Sequence, residues 1–185
     1  MSVKAGKHTL ETGIWSLDPA HSEVGFFVRH AGISKVRGKF SDVAATINVR
    51  DIEDDNFEIT AVAKADSFDS GDVNRDAHVK GADFLDVENF PEVLFDSTKV
   101  TFDDDEFTLK GNLTIRGVTK TVKFKGSFYG IARDPFGVLR AGMEATATIN
   151  RKDFGIVWNA ALDNGGVLVS DKVKLVLELS FAFDE

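Results

Sequence analysis

The sequence predicts an all-β fold: a single antiparallel up-and-down barrel of about eight strands with a short helical insertion. Three observations predict it. Apolar and polar residues alternate at period two along most of the chain, turn-forming residues separate the alternating runs, and residues 70–86 stand out by lacking the alternation. A long meander commonly avoids exposed strand edges by closing on itself, although a two-sheet sandwich satisfies the same pattern.

Residues 1–12 read as a flexible N-terminal tail and residues 13–185 as one domain, with no repeat, low-complexity tract or linker to divide it. The first alternating run places Val24, Phe26, Val28 and His30 on one face. Val43, Ala45, Ile47 and Val49 follow, and then Phe57, Ile59, Ala61, Ala63 and Ala65. Asp69, Ser70 and Asp72 are good N-caps ahead of Val73, Ala77 and Val79, so a short helix is expected there, interrupted at Gly81, with a second turn over Ala82 to Leu85. Beyond it Phe107, Leu109, Leu113 and Ile115 oppose Thr108, Lys110, Asn112 and Thr114, and Val122, Phe124 and Phe128 oppose Lys123, Lys125 and Ser127. Met143, Ala145, Ala147 and Ile149 form the next face. The clearest run is the last, with Val173, Leu175, Leu177, Leu179, Phe181 and Phe183 on one side and Lys172, Lys174, Glu178 and Ser180 on the other. Asp51 to Asn56, Asp103 to Asp105, Arg116-Gly117, Asp134 to Gly137 and Asp163 to Gly166 supply the turns.

A chain of 185 residues, 43% hydrophobic and 28% charged, is long enough to bury one sizeable core. Its net charge of −8, with acids clustered at Asp51 to Asp55 and Asp103 to Glu106, disfavours nucleic acid and anionic surfaces as partners. The absence of cysteine excludes disulfides, thiolate metal sites and cysteine nucleophiles. No segment approaches the roughly 20 apolar residues of a membrane span, and Met1 to Gly13 has no apolar signal core, so the expected location is cytoplasmic.

Candidate chemistry is sparse. Asp18, His21 and Ser22 stand close in sequence, but no Gly-x-Ser-x-Gly elbow accompanies them, and they read as a turn that caps the next strand. The four histidines, His8, His21, His30 and His78, lack metal-ligand spacing, so no metal or cofactor is expected. His30 falls on an inward face, either as a hydrogen-bonded core residue or beside the polar end of a ligand. Arg75 and His78 share a helix face. They either anchor the helix, with Asp76, or meet a ligand head group such as a pyrophosphate or carbonyl. Arg151 to Gly155 reads as a turn with a basic edge, whose Phe154, with Trp158, either plugs the barrel or flanks its mouth.

The inward faces are unevenly filled. Ala61, Ala63, Ala145 and Ala147 oppose Phe26, Val28, Phe124, Leu175 and Leu177, with Phe128 and Met143 in the same ring of positions. An eight-stranded barrel is either just filled by side chains or just able to hold one ligand. Two readings therefore stand. The sixteen phenylalanines pack against the alanines, or the interior is hollow and suits a long hydrocarbon chain.

The run Trp15-Ser16-Leu17-Asp18-Pro19-Ala20-His21-Ser22, followed by Val24-Gly25-Phe26 and His30, resembles the opening of the YceI-like proteins. Val36 to Phe40, Asn74 to Val79 with Asp83 to Asp86, Phe90 to Phe95, Gly111 to Lys120 and Asn150 to Ile156 match in the same order, so the resemblance covers about residues 13–183. It implies a lipocalin-like barrel with a helical insertion and an apolar tunnel for a polyisoprenoid or other lipid, such as a fatty-acyl chain, bound without catalysis. It also implies frequent homodimers. A packed structural barrel and a lipid-modifying enzyme are the alternatives.

Overall fold

A computed structural model describes residues 10–53 and 55–185. Residues 1–9, most of the expected tail, lie outside the described residues. The remainder of that segment is held: Leu10 is buried against the core, and Trp15 Nε1 donates to the Glu11 carbonyl at 3.0 Å.

The strands are β1 (Gly13–Leu17), β2 (Glu23–His30), β3 (Ser34–Phe40), β4 (Val43–Asp51), β5 (Asn56–Lys64), β6 (Phe68–Asp69), β7 (Glu92–Asp103), β8 (Glu106–Ile115), β9 (Val118–Arg133), β10 (Leu139–Asn150) and β11 (Val169–Phe183). All pairings are antiparallel. The eleven segments make eight staves, because three long strands are each broken once. β1 and β2 run in series along one edge of β11, pairing Leu17 with Phe181 and Val24 with Leu177. β4 and β3 continue the next stave by pairing with β1 and β2, and β5 and β6 the one after. The remaining five strands follow as a meander, and β11 closes the ring on β1.

Each break has a local cause. Pro19 cannot donate to a ladder, and Asp18 caps the turn Pro19–His21 by accepting from the Ala20 amide at 3.0 Å. The β5–β6 break is a single turn over Ala65–Ser67, whose Ser67 carbonyl accepts from the Ser41 amide in the bend between β3 and β4. β6 pairs with β3 only through Lys39–Asp69 and Phe40–Phe68. At this end of the barrel the staves separate, and residues 70–91 fill the gap. Their helix α1 (Val73–Lys80) is capped by Asp72, which accepts from the Arg75 amide at 2.9 Å. Turn structure follows over residues 82–85, as expected.

The far end of the barrel is packed. Trp15, Val49, Phe128, Ala141, Ala145 and Phe181 are at most 2% exposed. A small inward residue here serves a large neighbour: the Phe107 ring lies over Gly126, so close that a Cβ there would fall 2.3 Å from ring carbon. Filling by phenylalanine is therefore real in this half.

Outside the barrel, Arg140 ties the β1–β2 break to the β9–β10 turn, donating to Asp18 at 2.5 Å and to Asp134 at 2.8 Å. His21 Nδ1 lies 2.7 Å from the same Asp18 carboxylate, and with Arg140 it holds that carboxyl below its ordinary range. Arg140 does the same for Asp134. Ser22 meanwhile exchanges hydrogen bonds with the Ser180 backbone, so the residues that suggest a triad in sequence form a structural tether. Carboxyls with depressed folded-state values contribute stability that is complete above about pH 4 and is lost as pH falls through those values. The melting temperature should drop on acidification below about pH 4, and Arg140→Met should both lower it at neutral pH and flatten that acid limb. Thermal denaturation of the two proteins across that range checks both signs.

Candidate functional site

The half of the barrel under α1 is hollow. A cavity of about 620 Å³ opens there, and inward residues that a packed core would bury remain half-buried because they face it: Phe26, Val28, Ala61, Leu175 and Leu177. Ala63 and Phe124 complete the wall, and the Phe95 and Phe124 rings, 5.6 Å apart and perpendicular, form part of the same lining. Most of the wall is hydrocarbon, so the favourable contacts it offers are non-directional.

The mouth is built from three segments. α1 and the turn after it contribute Asn74, Arg75, His78, Val79, Phe84 and Leu85 to the cavity surface. The β10–β11 connection contributes Phe154, Ile156, Trp158 and Leu168, and His30 ends β2 beside them. The segments lock together through rings and backbone. His78 meets Trp158 edge-on at 4.7 Å and Phe84 at 5.0 Å, and the Ala31 amide donates to the Leu168 carbonyl at 2.8 Å. Arg116 donates to the Phe84 carbonyl at 2.9 Å, which fastens the insertion to the β8–β9 turn.

Arg75 anchors the helix and also borders the cavity. Its Nε and Nη2 bind Ser70 Oγ and the Ser70 carbonyl at 2.7 and 2.9 Å, and Asp76 accepts from the same Ser70, so the helix is anchored to its own N-terminal loop. The guanidinium is nevertheless exposed at the cavity surface, and its Nη1 has no protein partner among the described residues. His78 Nε2 contacts Asp83 at 2.9 Å. His30 is exposed at the rim and not buried in the core.

Four expected wall residues are elsewhere. Phe128, Met143, Ala145 and Ala147 lie outside the cavity surface. The reason is the register: Ala145 pairs with Gly126 and Met143 with Phe128, which places them beside the Phe107 and Phe102 rings of the filled half.

The sequence reading missed Arg151. Its side chain is 4% exposed yet borders the cavity, and it donates to the carbonyls of Ser170, Ile156 and Trp158 at 2.8–2.9 Å. Burial lowers its pKa, and Asp171, 3.7 Å away, acts in the opposite direction. Gly155, at φ 75°, ends the turn Arg151–Phe154 in the left-handed region and lets the chain double back onto the guanidinium. Among the described residues no group of three or more His, Asp or Glu could hold a metal ion, and no helix is long and apolar enough to cross a membrane.

Residues 15–181 match the family model of the YceI-like domain. The chain belongs to the YceI-like family. A UPF0312 protein of Staphylococcus aureus is 33% identical over 92% of this chain and 98% of its own, and one from Pectobacterium atrosepticum is 36% identical over 74% and 71%. Among solved structures, Burkholderia cenocepacia BcnA superposes with a TM-score of 0.75 at 21% identity, covering 89% of this chain and 98% of its own. The Campylobacter jejuni YceI protein gives 0.73 at 26% identity over 85% and 90%. A polyisoprenoid-binding domain from Saccharophagus degradans gives 0.70 at 12% identity over 92% and 98%, a likeness of fold.

The two halves of this YceI-like barrel should respond oppositely to added carbon. Ala61→Leu should be neutral or stabilising, whereas Ala145→Leu should cost about 1–3 kcal/mol by overpacking; chemical denaturation of the delipidated variants reads the difference. Arg151→Met leaves several buried carbonyls without donors. It should cost about 3–5 kcal/mol, with hydrogen exchange accelerated first over residues 156–170.

Proposed function

We propose that this YceI-like protein binds a single long-chain lipid, a polyisoprenoid or fatty-acyl chain, in the barrel and releases it chemically unchanged. One observation carries the reading: the inward apolar residues of the mouth half line a cavity of about 620 Å³. That volume lies within the roughly 300–1,000 Å³ typical of ligand sites. Enclosing about a dozen methylenes would contribute on the order of 10 kcal/mol gross, which offsets much of the association and ordering cost. The likeness to the polyisoprenoid-binding domain of S. degradans supports a binding role.

The polar groups of the site collect at the mouth, so the ligand enters tail first and leaves its head group beside Arg75 and His78. The Arg75 Nη1 donors suit a phosphate or carboxylate oxygen. Arg75 and His78 are engaged in anchoring contacts with Ser70 and Asp83, which favours holding a ligand over transforming it.

Organic extraction of the natively purified protein, followed by mass spectrometry, should yield a long-chain apolar lipid at near one per protein. A protein that carries none, and retains neither a polyprenyl phosphate nor a long-chain fatty acid on incubation, would sink the reading. Arg75→Ala should lower the melting temperature and weaken lipid retention several-fold, whereas Ser70→Ala, which loosens the same anchor but leaves the guanidinium at the cavity, should lower the melting temperature with much less loss of retention; equal loss of retention in both would make Arg75 an anchor only.

A further inference from the structure

The outer face of the β2–β3 hairpin is unusual for a chain of net charge −8. From Val24 to Ser41 it carries four cations, Arg29, Lys35, Arg37 and Lys39, and no acid. The barrel register sets Lys174 of β11 opposite Phe27, and Arg37 opposite it on the other side. Lys35, Arg37 and Lys174 thus converge on one ring, at 4.6, 5.6 and 5.6 Å from its centre. Like charges at neighbouring strand positions repel, and none of these three has a carboxylate partner among the described residues.

The tip of the same hairpin is apolar. Ile33 is 85% exposed, and Val167, brought alongside by the hydrogen bond from Ala31 to Leu168, is 52% exposed. Val73 and Val157, also exposed, each precede in sequence a residue of the cavity mouth, Asn74 and Trp158. Acids occur at both ends of the barrel, at Asp103 to Glu106 on one and at Asp69, Asp72, Asp83 and Asp86 on and beside the insertion at the other, so the acid-free hairpin from Val24 to Ser41 is a local cationic patch on one side of the rim.

We propose that the Ile33 tip and the cationic face behind it dock on a lipid bilayer carrying anionic headgroups, with the cavity mouth turned to the membrane. Apolar side chains of the tip enter the interface, the lysines and arginines contact phosphates, and the acidic insertion across the mouth favours an approach tilted onto the hairpin side. This deepens the lipid-binding reading and rests on it, since the membrane is where such a ligand is collected or delivered. The overall negative charge opposes approach, but only the charge within a Debye length of the surface acts strongly on it.

The test is flotation of the full chain with vesicles of phosphatidylcholine alone or mixed in equal parts with phosphatidylglycerol. The protein should float with the mixed vesicles, remain free of the neutral ones, and be released by salt. Lys35→Glu with Arg37→Glu should weaken association about tenfold or more, and Ile33→Asp should weaken it too. Melting temperature, and retention of a long-chain fatty acid added to the delipidated protein in solution, should stay at the parent values in both variants. A parent that fails to float, or variants that float equally well, would overturn the proposal. So would an Ile33→Asp variant that changes only the sedimentation of the free protein, because the tip would then be a contact between copies of this chain. If flotation holds but extraction yields no lipid, the docking surface stands and the ligand reading fails.

Discussion

The open end of this barrel depends on one buried cation. Arg151 sits where β10 ends, and its guanidinium gathers carbonyls from Ile156, Trp158 and Ser170, pulling a connection with little regular structure onto the barrel. A guanidinium can do this because it presents several donors in a fixed plane and stays charged even when burial disfavours it. An apolar residue of similar size would fill the space and leave those carbonyls without donors, at a cost that falls on the loop. Through Trp158 the constraint extends to α1, because His78 and Phe84 both rest on that ring. The mouth is thus a chain of contacts that starts at Arg151.

A second constraint divides the interior. An eight-stranded ring has a nearly fixed bore, so whether it is full depends on how side chain volume is distributed along its axis. Toward the end that contains β1, the Phe107 ring lies across Gly126 of the neighbouring strand and consumes the bore. Toward α1, Ala61, Ala63, Leu175 and Leu177 border the cavity. The filled half supplies the packing that holds the staves together, and this frees the other half from having to pack. A barrel hollow throughout would have to draw its stability from backbone pairing and its outer face alone.

Much of this was legible in the residues. Period-two alternation identified the inward faces of β2, β4, β5, β8 and β11 correctly, because a one-residue slip would have moved every Leu and Phe outward. It left out β7, where a bulge between Ser97 and Lys99 shifts the phase, so that Phe95 and Val100 both face inward at an odd spacing. It also treated all inward alanines alike. Ala63 faces empty space and Ala145 does not, and the difference lies in which neighbours reach across, a property of the register of strands β8 to β10 and not of any one segment. Arg151 was invisible for a related reason: in Asn-Arg-Lys-Asp-Phe-Gly it reads as part of a polar turn, and its burial arises only when residues more distant in the chain fold over it.

The arrangement also separates affinity from orientation. The apolar wall binds in proportion to the area it covers and has little means of distinguishing one hydrocarbon from another of similar girth. In the proposed complex, discrimination would come from the mouth, where Arg75, His78 and His30 border the cavity. A polar head placed deep in the barrel would lose its water and find mainly phenylalanine and leucine, a penalty of several kcal/mol. At the mouth it keeps its water on one side and gains a guanidinium on the other. A lipid bound as proposed would have its tail selected by fit and its head by charge, and the desolvation cost would oppose the reversed orientation.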